Sequence, residues 1–166
     1  MAIVNINGSN IMAGLAADPR TVGAPGYNGK VRCWIETVEV GATDSADSTY
    51  SVARLPSNAR ILGASKIYSD DLASAGAPTM DIGVFNLPGQ ATITDDDDAI
   101  NSGVDVATVT DAAFVSGIEN FGNKLYEFVS GQAVDPKGNL DIKLTLKDAA
   151  VNVGGTVTVE IYYDLD

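Results

Sequence analysis

Residues 139–148 read NLDIKLTLKD, and residues 154–166 read GGTVTVEIYYDLD. In the first, Leu140, Ile142, Leu144 and Leu146 alternate with Asp141, Lys143, Thr145 and Lys147. In the second, Val157, Val159, Ile161 and Tyr163 alternate with Thr158, Glu160 and Tyr162. A period of two places every apolar side chain of a segment on one side of an extended backbone, so each segment is a strand with one buried and one wetter face.

Moving toward the N-terminus, the same period recurs. TMDIGVFN, residues 79–86, puts Met80, Ile82 and Val84 on one side, and VDVATVT, residues 104–110, alternates again. In KVRCWIETVEV, residues 30–40, Val31, Cys33 and Ile35 alternate with Arg32, Trp34 and Glu36. The apolar parity then passes to Val38 and Val40, which predicts a one-residue bulge near Thr37. Cys33 is expected to act as a small core hydrophobe. In residues 51–70, SVARLPSNARILGASKIYSD, Tyr50, Val52 and Arg54 share one parity while Ser51, Ala53 and Leu55 share the other. Pro56 cannot donate to a ladder, so a corner at Pro56-Ser57-Asn58 separates two strands. The second, with apolar groups of both parities, is expected to be central and covered on both sides. Residues 111–131 are ambiguous: Asp111 suits the cap of a short helix carrying Phe114, Val115 and Ile118, and residues 125–129 fit a strand or a helical turn.

Seven or eight short strands between turn signals predict an all-β chain: a single-domain antiparallel β-sandwich, jelly-roll-like, with at most one or two short helices. The 166 residues suffice for one core, and 45% of them are hydrophobic. Turn formers are dense in residues 1–29, which predicts an irregular N-terminal arm, with the sandwich at 30–166. Within the arm, Ile3, Val4, Ile6, Ile11 and Met12 are apolar candidates for contact with a neighbouring subunit.

The formal net charge is −12, from 22 acidic and 10 basic residues. Such a surface repels phosphate backbones and anionic lipid, so neither nucleic acid nor membrane is an expected partner. The N-terminus lacks the basic start and continuous apolar core of a secretory signal, which predicts cytoplasmic synthesis. With no histidine and one cysteine, the chain has no Ser-His-Asp or Cys-His arrangement and no imidazole or cysteine zinc cluster. No glycine-rich phosphate loop follows a strand. The expectation is a non-enzymatic chain without a cofactor. Asp95, Asp96, Asp97 and Asp98 form the one candidate cation site, in a segment expected to be a loop. Four consecutive acids supply oxygens, but they lack the D-x-D-x-DG spacing and would alternate in direction along an extended segment. Trp34 and the tyrosines at 50, 68, 126, 162 and 163 are scattered, which favours packing over a sugar platform.

The succession ARLPSNARILGASKIYSDDLASAG (53–76), PTMDIGVFN (78–86) and GGTVTVEIYYDLD (154–166) resembles small virion proteins of tailed bacteriophages, of the head decoration or cement type. The likeness spans roughly residues 30–166, and its motifs are structural rather than catalytic. It implies a β-sandwich on the outer capsid surface of the virion, made in the host cytoplasm, that ties neighbouring major capsid proteins together and meets further copies of itself. The alternatives are a tail, connector or fibre-base component, or a calcium- or carbohydrate-binding sandwich module.

Overall fold

The computed structural model describes residues 30–90 and 92–165. The apolar arm residues Ile3, Val4, Ile6, Ile11 and Met12 lie outside these. Nine strands follow in order: β1 (Arg32–Val40), β2 (Thr49–Pro56), β3 (Ala59–Ile61), β4 (Lys66–Ser69), β5 (Thr79–Phe85), β6 (Asp96–Asp105), β7 (Thr110–Ala113), β8 (Asn139–Lys147) and β9 (Gly155–Leu165). Two single 3-10 turns, Ile118–Asn120 and Leu125–Phe128, interrupt the segment between β7 and β8.

The pairing is nested. β1 pairs β9, β2 pairs β8, β4 pairs β7 and β5 pairs β6, all antiparallel. That is one long hairpin with its tip at β5–β6. Rolling it adds the pairs β4–β9 and β5–β8 and produces two sheets. One runs β1-β9-β4-β7 with β3 also on β9; the other runs β2-β8-β5-β6. This is a jelly-roll sandwich, as the sequence predicts.

The alternating segments supply the core. Leu140, Ile142, Leu144 and Leu146 of β8 face Val157, Val159 and Ile161 of β9, with Met80, Ile82 and Val84 beside them, all fully buried. Burying each such side chain contributes about 1.5–3 kcal/mol before entropy is subtracted. The corner at residues 56–58 carries the chain from the four-stranded sheet to the other. Ser57 is buried there and fixes it: its amide donates to the Gly138 carbonyl at 2.9 Å and its hydroxyl to Asp135 at 2.6 Å.

Four expectations require correction. β1 has no bulge; its register with β9 runs unbroken from Arg32↔Tyr163 to Val40↔Gly155. Trp34, Val38 and Val40 face inward, and Cys33 is exposed, not in the core. The indole decides the parity, because it has far more surface to bury than a thiol and its N–H finds an acceptor in the other sheet. The bulge belongs instead to β2, where the register slips between Ser51 and Ala53. Val52 is the extra residue, and its carbonyl, out of the ladder, accepts the Trp34 indole N–H at 2.8 Å. The strand after the corner is not doubly covered. A turn at 62–65 splits it into β3 and β4, with Ile61 and Ile67 buried and Ala64 and Tyr68 exposed. Finally, Asp111 caps no helix: it lies in β7 opposite Tyr68 and receives Lys66 Nζ at 2.7 Å. Phe114 and Val115 are core residues, whereas Ile118 is exposed.

Candidate acidic site and contact surfaces

The four consecutive aspartates do not sit in a free loop, since β6 begins at Asp96. β5 and β6 are paired at Val84↔Asp96 and again at Ile82↔Asn101. Four residues, 97–100, therefore stand opposite one, Gly83. Ile82 and Val84 point into the core, so Gly83 presents its backbone to the outer face of the sheet. The acidic segment folds onto that bare spot: a Cβ on Gly83 would lie 2.4 Å from Asp97 Cα and 2.4 Å from the Asp96 carbonyl oxygen. Only glycine allows this approach.

The bulge cancels the strand alternation that would spread the acids apart. Asp96, Asp97 and Asp98 each offer a carboxylate oxygen within 4.8 Å of the others. Asp95 turns away and caps the next loop, accepting from the Asn86 amide at 2.7 Å and side chain at 2.9 Å. Lys147 Nζ reaches Asp97 at 2.8 Å and Asp47 at 3.0 Å. Its ammonium holds the Asp97 carboxyl below the usual carboxylate range. Asp98 is pushed the other way, first by its hydrogen-bonding contact with Asp96, then by burial and the charges of Asp96, Asp97 and Asp81. Two carboxylates in contact need a shared proton or a cation between them. Lys143, the next basic group on that face of β8, has its ammonium 4.7 Å from the centre of the Phe85 ring.

Apolar exposure marks the contact surfaces. Val31, Cys33 and Ile35 form a row on the outer face of β1, with Val31 and Ile35 about three-fifths exposed (61% and 64%). Among the described residues β1 ends its sheet, so the row lies along an edge of backbone donors and acceptors. The alternation in the sequence marks this row as apolar, and only Cys33 of it is expected in the core. Ile118 and Phe121 form a second exposed pair, the Phe121 ring lying over Gly63. Of the aromatics, Trp34, Tyr50, Tyr126 and Tyr163 pack against the core edge. Tyr68 and Tyr162 both hydrogen-bond Glu160 on the outer face of β9.

No protein-family model matches the chain, and no curated protein matches it in sequence. Solved structures do match in fold. A chain in the capsid asymmetric unit of cyanophage Pam1 superposes with a TM-score of 0.58 at 20% identity, over 90% of this chain and 96% of that one. A chain in the capsid of Ralstonia phage GP4 gives 0.59 at 14% identity, over 82% of this chain and 85% of that one.

Proposed function

We propose that the chain is a non-enzymatic decoration, or cement, protein of a phage head, which binds the outer capsid lattice and links neighbouring major capsid proteins. The observation that carries this reading is the likeness in fold to a chain of the Pam1 capsid, over 90% of this chain and 96% of that one. In this reading the sandwich is an add-on to a lattice made by another protein.

The residues agree. A cement protein needs contact surface, solubility at high copy number and no reactive centre. Here the net charge of −12 keeps free copies apart. The β1 edge, with Val31 and Ile35 exposed, offers a place for strand addition. The apolar residues Ile3, Val4, Ile6, Ile11 and Met12 supply the lattice contact in this reading, as an arm preceding the sandwich.

The test is attachment. Purified chain added to undecorated heads is expected to co-sediment with them at stoichiometric occupancy. The same chain without residues 2–15 is expected to remain in the supernatant while melting as before. Equal occupancy by both forms would reject the arm as the contact. Failure of the full chain to bind heads, with binding to tails instead, would replace the head assignment by the tail one.

A further inference from the structure

We propose that the β1 edge seats a second copy of this chain, the two β1 strands pairing antiparallel about a two-fold axis at Cys33. The proposed role leaves the strand-adding partner of this edge open. The pairing rests on the edge alone and does not depend on where in a particle the chain resides.

Among the described residues β1 pairs only with β9, so its other side carries backbone donors and acceptors with no strand to receive them. Edge strands are commonly shielded by proline, a bulge or charges on the face. β1 has no proline, its register with β9 is unbroken, and its outer face runs Val31, Cys33, Ile35, Thr37 without a charge.

Backbone geometry then narrows the register. Along such an edge, alternate residues turn both N–H and C=O outward. Two identical strands exchange these bonds only when the paired residues are of the same parity, which puts the axis on a residue and not between two. With the axis at Trp34, Val31 would meet Thr37 of the second copy. With the axis at Ile35, Val31 would meet Glu39 and Cys33 would meet Thr37 of the second copy. Only the axis at Cys33 matches the exposed row with itself: Val31 faces Ile35, Cys33 faces Cys33, and Ile35 faces Val31. On the opposite face of the strand, the same register sets Lys30 against Glu36 and Arg32 against Trp34, each pair occurring twice. Lys30, Arg32 and Glu36 are exposed, and none is in an ion pair within the described residues. The apolar match and the two crossed charge pairs single out a second copy as the occupant. Residues 30–36 hold two cations and one anion, so the contact is not part of the negative surface of a chain at −12. Each edge is used once, so the assembly closes at two. One strand pair buries little surface, which makes the pairing weak in solution and stronger where copies are held side by side.

The experiment is sedimentation equilibrium of the full chain in reducing buffer. Between about 10 and 500 μM the mass is expected to rise from monomer toward dimer, with half-association near about 100 μM. In about 0.5 M salt the midpoint is expected to fall severalfold, because salt screens the repulsion between the two negative chains and leaves the apolar contact. Glu36→Lys sets like charges against Lys30 and is expected to weaken pairing about fivefold or more; adding Lys30→Glu to it is expected to restore pairing, which a folding defect would not allow. Oxidation with diamide tests the register. Directly opposed residues of antiparallel strands have Cα atoms about 4.5–5.5 Å apart, within the span of a disulfide. The unaltered chain is therefore expected to link through Cys33 at least about tenfold faster than the double variant Cys33→Ser with Ile35→Cys, whose thiols stand four residues out of register. A monomer over the whole range in both salts would overturn the proposal. So would linkage no faster than in that double variant, or a charge swap that restores nothing. A Cys33 thiol that resists alkylation in a monomeric chain would put residues 1–29 on the edge instead, and would overturn it too. Pairing in a chain that fails to bind heads would support this inference and reject the proposed role.

Discussion

At the scale of single residues, Asp98 and its neighbours set opposed responses to pH. Asp98 has its carboxyl raised by the contact with Asp96. Its contribution to stability is full below its unfolded pKa near 3.8 and is lost as pH rises through the folded value. Asp44, held low chiefly by the Tyr50 hydroxyl, Asp70, held low by Thr156, and Asp135, held low by Ser57, behave oppositely. Their contribution is present above pH 4 or so and is lost as pH falls through their folded values. Melting temperature is expected to drop as pH falls below about 4 and to decline gently as pH rises through the folded pKa of Asp98. Asp98→Asn should remove the gentle decline and melt higher than the unaltered chain at neutral pH. A lower melting point for that variant at neutral pH would show that the Asp98 charge is not opposed. Trp34 gives a second test. Trp34→Phe leaves the Val52 carbonyl without its donor and is expected to cost about 1–3 kcal/mol in urea unfolding. Ile61, fully buried, should cost about 2–5 kcal/mol as Ile61→Ala; a loss under about 1 kcal/mol would place it outside the core.

At the scale of elements, the strands whose apolar residues keep one parity were legible in the sequence. β5, β8 and β9 lie where the alternation puts them, and the corner at Pro56 separates β2 from β3. β1 misled because it is an edge strand with apolar residues on both faces; the register with β9 chose the Trp34 face, and no local pattern records that choice. The bulge in β2 did leave a trace, since Val52 and Ala53 are adjacent and both buried. The convergence of Asp96, Asp97 and Asp98 was hidden, because it depends on four residues standing opposite one on another strand. Its only sequence signal is Gly83 inside an apolar strand, a mark of close backbone approach. Gly83→Ala tests that link: the added methyl has no room against Asp97 Cα, so the variant is expected to lose stability. A Gly83→Ala chain with unchanged melting would contradict the bulge geometry.

At the scale of the whole molecule, the nested hairpin rolls into two sheets packed as a sandwich. The corner, the Ser57 hydrogen bonds and the Trp34–Val52 link fix the relation of the two sheets, so the β1 edge and its exposed row are held on a firm support. In the proposed reading, a block with this exposed edge and a net charge of −12 stays dispersed until a lattice presents its partner. The fold is similar to that of chains in the capsids of phages Pam1 and GP4. The most direct test is a cryo-electron microscopy map of the virion that carries this chain, at a resolution that traces strands. The account predicts the sandwich on the outside of the head, in many symmetry-related copies, each spanning adjacent major capsid proteins. Density for the chain confined to the tail or connector would contradict it.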